Sequence, residues 1–345
     1  MKLLICTQIV DTNDSNLGFF HRWIEEFAMH CELVTVVCLK RGEYTFPSNV
    51  RVLSLGKEEG TSKLTRIIRF YRYIIECRKN YDSVFVHMNA EYAVLGGWLF
   101  KRWGKKVSLW YAHKSVTRIL QFAMRFIDVV FTVAPDSFKI SSEKVRAVGH
   151  GIDTETFKPD IRESSIETRI ITTGRIAESK HLLEMLDVLD TLHTRGELFT
   201  FTVVGEPTTA EEARYAAKLR QEIGKRPYNA KVFMRGGLLH DNLPKVLNLQ
   251  DIFFNFATTG NMDKAGLEAL ATGVPVLSTN EAFKQLLHSF DLFVPSTHPA
   301  LIADALQKFV SKGDKEKSAI AATLRNKVVA EHSLTRLIPK IIANL

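Results

Sequence analysis

Asn255-Phe-Ala-Thr-Thr-Gly260-Asn-Met-Asp263-Lys-Ala-Gly266-Leu-Glu268-Ala-Leu-Ala-Thr-Gly273-Val-Pro275-Val-Leu-Ser-Thr-Asn280 is the stretch on which the reading of this chain turns. Asp251 to Phe256 reads as a strand, the residues around Gly260 and Asp263 as a polar loop, and the next turns as a short helix carrying Glu268. Gly273 stops that helix, and Val274-Pro275-Val276-Leu277 opens another strand. A strand, a polar loop and a helix whose first amides face a crevice form a ready anion site.

The same alternation extends on both sides. Toward the N-terminus the second half predicts strands at Arg169 to Thr173, Phe199 to Val204, Lys231 to Arg235 and Ile252 to Phe256. Helices are expected at His181 to Arg195, Ala210 to Ile223 and Leu243 to Leu249. Beyond the opening stretch, Leu292 to Val294 predicts a last short strand, and Pro299 to Ser311 and Lys315 to Leu345 read as helical. The first half predicts strands at Lys2 to Ile9, Leu33 to Leu39, Val50 to Leu55, Ser83 to His87, Val107 to Ala112, Val129 to Val133 and Val145 to Gly149. Amphipathic helices are expected at Phe19 to His30 and Leu64 to Lys79. Strands joined by helical crossovers argue for parallel sheets covered on both faces.

The pattern breaks between Gly149 and Glu167, where a polar segment holding Pro159 is the expected linker. The expectation is therefore an α/β chain with a first Rossmann-like domain over 1–155 and a second over 165–325. A final helix over 326–345 would cross back to the first. Two doubly wound halves joined in this way place a ligand between them, outside the carboxyl ends of their strands.

Composition narrows the class. The 345 residues are 46% hydrophobic, and no run approaches the ~20 apolar residues of a membrane span. Met1 to Cys6 is apolar, but Asp11 and Asp14 follow with no small-residue cleavage site, so a first strand and a cytoplasmic location are expected. Cys6, Cys31, Cys38 and Cys77 form no CxxC pair and read as buried thiols rather than a metal or disulfide framework. Residues 1–160 hold 23 Lys and Arg against 17 Asp and Glu, a balance of +6, so most of the chain's net +8 lies there. That points to an anionic surface as partner, while no nucleic-acid-binding motif accompanies it.

The residues just after the strands carry the chemistry. The loop from Asp11 to His21 is long and polar, with Asn16 and a single glycine, Gly18, before the helix. It lacks GxGxxG, which disfavours a nicotinamide dehydrogenase. Gly18 either serves backbone geometry or lets a phosphate or substrate approach the helix start. Two strands end in histidine, His87 and His113, at crevice positions where a lone histidine would otherwise be structural. Gly174-Arg175-Ile-Ala-Glu-Ser-Lys180 follows a strand, and its Arg and Lys either turn toward one diphosphate or stand as solvated charges. Gly205 and the Arg235-Gly236 pair sit in turns where backbone meets a nucleoside or simply reverses.

Gly174-Arg175…Lys180, Gly151-Ile152-Asp153, and Gly-Leu-Glu-Ala-Leu-Ala-x-Gly-Val-Pro-Val over 266–276 occur in the order seen in family 4 of the retaining glycosyltransferases, and the chain resembles that family over nearly its whole length. The resemblance implies the GT-B fold, two Rossmann-like domains facing each other across a cleft, with a nucleotide-sugar in the second and the acceptor in the first. Arg175 and Lys180 would then neutralise the donor diphosphate. Glu268 would accept ribose hydroxyls, and the residues opening its helix (Asp263, Lys264, Ala265, Gly266) would complete the anion site. His113 would sit near the transferred sugar, with Asn16, Gly18 and His87 toward the acceptor and phosphate. Same-face attack, the leaving phosphate taking the acceptor proton, needs no metal and no cofactor beyond the sugar nucleotide.

One position departs from the family. Its Glu-x7-Glu pattern wants a glutamate at residue 260, which is glycine, and the usual Gly-aromatic-Gly is Asn261-Met262-Asp263. Asp263 either stands in for that glutamate or only caps the helix. The implied activity is transfer of a sugar from a nucleoside-diphosphate donor to a hydroxyl on a glycan or lipid-linked acceptor, in envelope or exopolysaccharide synthesis. The alternatives are a nucleotide-sugar epimerase of the same fold and a silent nucleotide-sugar-binding protein.

The stretch from Ser62 to Lys79 carries Lys63, Arg66, Arg69 and Arg72 on one side of its predicted helix and Leu64, Ile67, Tyr71, Ile74 and Ile75 on the other. The apolar side is expected on the core. The basic side, with Lys101, Arg102, Lys105 and Lys106, either faces water or meets anionic lipid at the inner face of a membrane.

Overall fold

The computed structural model describes residues 1–162, 165–257 and 260–345. Residues 163–164 of the expected linker and 258–259 of the expected loop lie outside the described residues. The chain divides into two compact units, Met1–Asp153 with His332–Leu345, and Thr154–Glu331.

The first unit runs β1 (Lys2–Val10), α1 (Phe19–His30), β2 (Leu33–Arg41), β3 (Val50–Ser54), α2 (Lys63–Glu76), β4 (Ser83–His87), α3 (Ala90–Arg102), β5 (Lys106–Trp110), α4 (Arg118–Ala123), β6 (Val129–Thr132) and β7 (Val145–Ala147). Its strands form one sheet in the order β3-β2-β1-β4-β5-β6-β7. Every recorded pairing is parallel. All five residues of β4 are buried, the mark of a strand covered on both faces. All four cysteines are free and buried, and burial pushes the Cys38 thiol up to about 12.

The second unit runs β8 (Thr168–Thr173), α5 (Leu182–Thr194), β9 (Phe199–Val204), α6 (Ala210–Gly224), β10 (Val232–Met234), α7 (Leu243–Leu247), β11 (Ile252–Asn255), α8 (Lys264–Ala271), β12 (Val276–Ser278), α9 (Lys284–Leu287), α10 (Pro299–Val310) and α11 (Asp314–His332). Its parallel sheet has the order β10-β9-β8-β11-β12. These strands pair in parallel around a central β8, so the carboxyl ends of β8, β9, β10 and β11 all open on the same edge.

Four expectations are corrected. The helix expected from Lys315 onward is two, because Ser333 separates α11 from α12 (Leu334–Ile342) and pairs in a bridge with Ile152. Ile152 is buried and Leu334 N donates to its carbonyl at 2.8 Å, so this residue is pinned within the first unit rather than lying in a loose linker. Leu292 to Val294 forms no strand: Phe293 makes a single bridge to Ser278. On α2 only Phe70 and Ile74 are buried, and Leu64, Ile67 and Ile75, expected on the core, are exposed. Apolar residues are spread over more of α2 than one packed face can cover, and Phe70 and Ile74 are the ones it buries.

Candidate functional site

The strand ends of the second unit are drawn together by glycines. Gly174 N donates to Val204 O at 2.9 Å, and Gly205 N to Gly236 O at 2.8 Å. A Cβ on Gly205 would lie 1.8 Å from Gly174 O, and its φ of +147° is foreign to other residues. Gly205 therefore serves close approach of two strand-end loops.

Lys180 ends a short 3-10 turn after β8 (Glu178–Lys180) and Asp263 precedes α8, which follows β11. The Lys180 ammonium donates to Asp263 Oδ2, joining the two loops. Asn255 Nδ2, at the end of β11, donates to the same oxygen at 3.2 Å. Asp263 Oδ1 accepts from Ala265 N at 3.3 Å, capping α8. One carboxylate thus both caps the helix and holds the lysine.

One turn further, Glu268 is buried. Its Oε1 accepts from Lys264 Nζ at 2.5 Å and from His240 Nε2 at 2.7 Å. Burial alone would raise its pKa, but the charges and hydrogen bonds of Lys264 and His240 outweigh it and hold the carboxyl down at about 2. Glu268 is thus a fixed anion. Gly266 lies two residues earlier on α8, where a Cβ would come 2.7 Å from the Phe283 ring. The α8 N-terminus consequently seats against Phe283.

Arg175 goes elsewhere. Its guanidinium donates to Glu212 Oε1 at 2.8 Å, while Glu212 Oε2 takes Thr208 N at 2.7 Å and Thr208 Oγ1 at 2.6 Å. Against burial, which raises it, the Thr208 bonds and Arg175 hold the Glu212 carboxyl below the usual range. Arg235 follows β10 and is exposed; Gly236 beside it adopts a φ of +73°.

In the first unit, His113 follows β5 and is exposed. Its Nδ1 accepts from Ser115 N at 3.1 Å, which leaves Nε2 as the N–H of the neutral ring. His113, Ser115, Tyr111, His87, Met88, Asn89, Gln8 and Leu17 line a cavity of about 280 Å³. His87 is buried, stacked on Phe20 with ring centroids 3.8 Å apart, and Nδ1 lies 3.2 Å from Thr7 Oγ1. Burial lowers its pKa to about 3, so the ring is neutral at physiological pH. Gly18 has an ordinary helical φ of −54°. Its lack of a side chain serves space, since a Cβ would fall 2.6 Å from Asp14 O. Asn16 is exposed, and its backbone N–H donates to Asp14 Oδ1 at 3.0 Å.

The structure therefore gathers Lys180, Asp263 and Asn255 in one cluster and Lys264, Glu268 and His240 in a second, both at α8. Sequence reasoning missed His240, Asn255 and Glu212. His240 lay four residues past the Arg235-Gly236 pair already singled out, but nothing in the spacing ties it to a glutamate 28 residues on.

Comparison with known proteins gives these clusters a setting. Residues 167–312 match the family model Glycosyl transferases group 1. The amylovoran biosynthesis glycosyltransferase AmsK of Erwinia amylovora is 24% identical over 216 residues, 59% of this chain and 52% of that protein. The chain thus spans about half the length of that curated relative. Anabaena HepE, solved with UDP and glucose, superposes with a TM-score of 0.77 at 14% identity, over 100% of this chain and 99% of that one. Sucrose-phosphate synthase from Thermosynechococcus elongatus gives a TM-score of 0.76 at 13% identity, over 100% and 98%. The fold is GT-B.

Proposed function

We propose that this chain, whose residues 167–312 match the family model Glycosyl transferases group 1, is a retaining glycosyltransferase that moves a sugar from a nucleoside-diphosphate donor to an acceptor hydroxyl. The observation that carries this reading is the convergence at α8. Lys180 reaches Asp263 across two strand-end loops, and one helical turn away Glu268 is held ionised within the same unit.

In this reading the α8 amides and Lys180 take the donor diphosphate, which displaces Asp263 from the ammonium as it enters. Arg175 swings from Glu212 to the same phosphates, its half-exposed side chain leaving it free to move. Their positive charge stabilises the leaving diphosphate as the sugar bond breaks, the moment at which electrostatic help counts most. Glu268, with Oε1 already occupied, offers Oε2 to a ribose hydroxyl. Asp263, once released, turns to the donor sugar in place of the carboxylate that Gly260 lacks. His113 presents its Nε2–H to the transferred sugar, and the acceptor occupies the first unit, beside Asn16, Gly18 and His87. Arg235, Gly205 and Gly236 border the nucleoside. No metal enters the scheme, so turnover is expected to be unaffected by EDTA. The acceptor is a glycan or a lipid-linked sugar in envelope or exopolysaccharide synthesis, met in the cytoplasm at the inner face of a membrane. No helix among the described residues is long and apolar enough to cross one.

Donor turnover tests the proposal. With a sugar nucleotide that binds, slow release of free sugar is expected, and Lys180→Met should lower it about a hundredfold or more. Conversion to a second sugar nucleotide would instead indicate an epimerase. Binding with no release of sugar, with or without acceptor, would indicate a silent binding protein.

A further inference from the structure

Helices α2, α3 and α4 lie on one face of the first unit's sheet and share one core. They contribute Phe70 and Ile74, Phe100 and Ala93, and Leu120 and Ala123 to it. They are neighbours: Tyr71 Oη on α2 donates to Leu95 O on α3 at 2.9 Å. Lys101 Nζ on α3 donates to Arg125 O, just past α4, at 2.6 Å.

The sides these helices turn outward are not ordinary solvated faces. On α2, Leu64 is 68% exposed and Ile68 59%, with Ile67 and Ile75 exposed beside them. Trp98 on α3 is 55% exposed, and Ile119 and Phe122 on α4 are exposed too. A single exposed leucine requires no explanation; a run across three adjacent helices does.

Cations are interleaved with these side chains. Lys63 and Arg72 are exposed on α2, Lys101 and Arg102 on α3, and Arg118 on α4. Arg125 lies over the Phe122 ring, 5.3 Å from its centroid. The acidic residues within the three helices are Glu76, paired with Arg72, and Glu91.

We propose that this three-helix face docks on an anionic lipid bilayer. Leu64, Ile68, Trp98 and Phe122 enter the interfacial layer while the arginines and lysines meet lipid phosphates. Basic residues alternating with Trp, Phe and Leu on a helical surface suit that layer, and tryptophan sits at headgroup level. Charge complementarity selects the occupant. A second copy of this chain on the same face would set cation against cation, and an uncharged apolar surface would leave the cations without partners. The proposal deepens the membrane element of the function above and rests on it for location. It is read by vesicle binding alone, so either can fail while the other stands.

The full-length protein is mixed with phosphatidylcholine vesicles with and without phosphatidylglycerol, and binding is followed by co-sedimentation and by tryptophan emission. Trp23 and Trp110 are buried and Trp103 is half-buried against the core, so Trp98, the exposed one, is the main source of a shift. Binding is expected only with the anionic lipid, weakened by salt, with a blue shift of emission. The variant carrying Leu64→Ser, Ile68→Ser and Trp98→Ser should bind about tenfold or more weaker with its melting temperature kept. Arg72→Gln with Lys101→Gln should reduce the salt dependence. Absence of binding at low salt, or equal binding by the apolar variant, would overturn the proposal. So would concentration-dependent self-association that the variant abolishes, which would assign the face to a second copy.

Discussion

Glu268 is ionised at a depth where an isolated carboxyl would be neutral, and Lys264 with His240 is the reason. Its pKa in the folded protein, about 2, lies below the ordinary 4.5. The stability it supplies is therefore complete above pH 4.5 and lost as pH falls toward 2. Removing one cation leaves the anion half-compensated. Lys264→Met is expected to destabilise the second unit by on the order of 3 kcal/mol at neutral pH and to raise its acid midpoint, measured by urea unfolding against pH. His87 works in a different range. Its folded pKa is depressed from 6.5 to about 3, so the unfolded chain takes up a proton that the folded one refuses. The first unit is then fully stable above pH 6.5 and loses stability as pH drops toward 3. His87→Gln should flatten that dependence. Tryptophan fluorescence reads it cleanly, because all four tryptophans (Trp23, Trp98, Trp103, Trp110) belong to the first unit. Glu268 was legible from its motif. His240 was not, since only the fold brings the β10 turn to α8.

The site owes its shape to strand ends that nearly touch. Gly205→Ala places a Cβ against Gly174 O and forces an unfavourable φ. The expected cost is about 3 kcal/mol or more, with loss of donor-induced stabilisation, both read by thermal melts with and without ligand. Alternating apolar strands and helices made both parallel sheets legible, since strands buried on two faces read as continuous apolar runs. The facing of α2 was not. Leu64, Ile67 and Ile68 suit a core by composition, yet only Phe70 and Ile74 meet the sheet. Periodicity identifies an apolar stripe but does not say what covers it. Ser333 gave equally little sign that it ends a helix, because its role is a bridge to Ile152, far away in sequence.

At the scale of the molecule, the first unit is closed by residues from the end of the chain. Leu334, Leu337, Ile338 and Ile341 of α12 are buried, and Ser83 Oγ donates to Leu345 O at 3.1 Å. Leu337→Ala is expected to cost about 2–5 kcal/mol. The loss should fall on the tryptophan-detected transition of the first unit and leave donor binding by the second intact. The proposed donor site lies in that second unit, and calorimetric titration with UDP-, GDP- and ADP-sugars probes it. At least one should bind with a one-to-one stoichiometry, and Lys180→Met and Arg175→Met should each weaken it about tenfold or more as charge-assisted contacts to the diphosphate are lost. Absence of binding by every member of that panel at millimolar concentration, with the protein folded, would rule out a sugar-nucleotide site at α8.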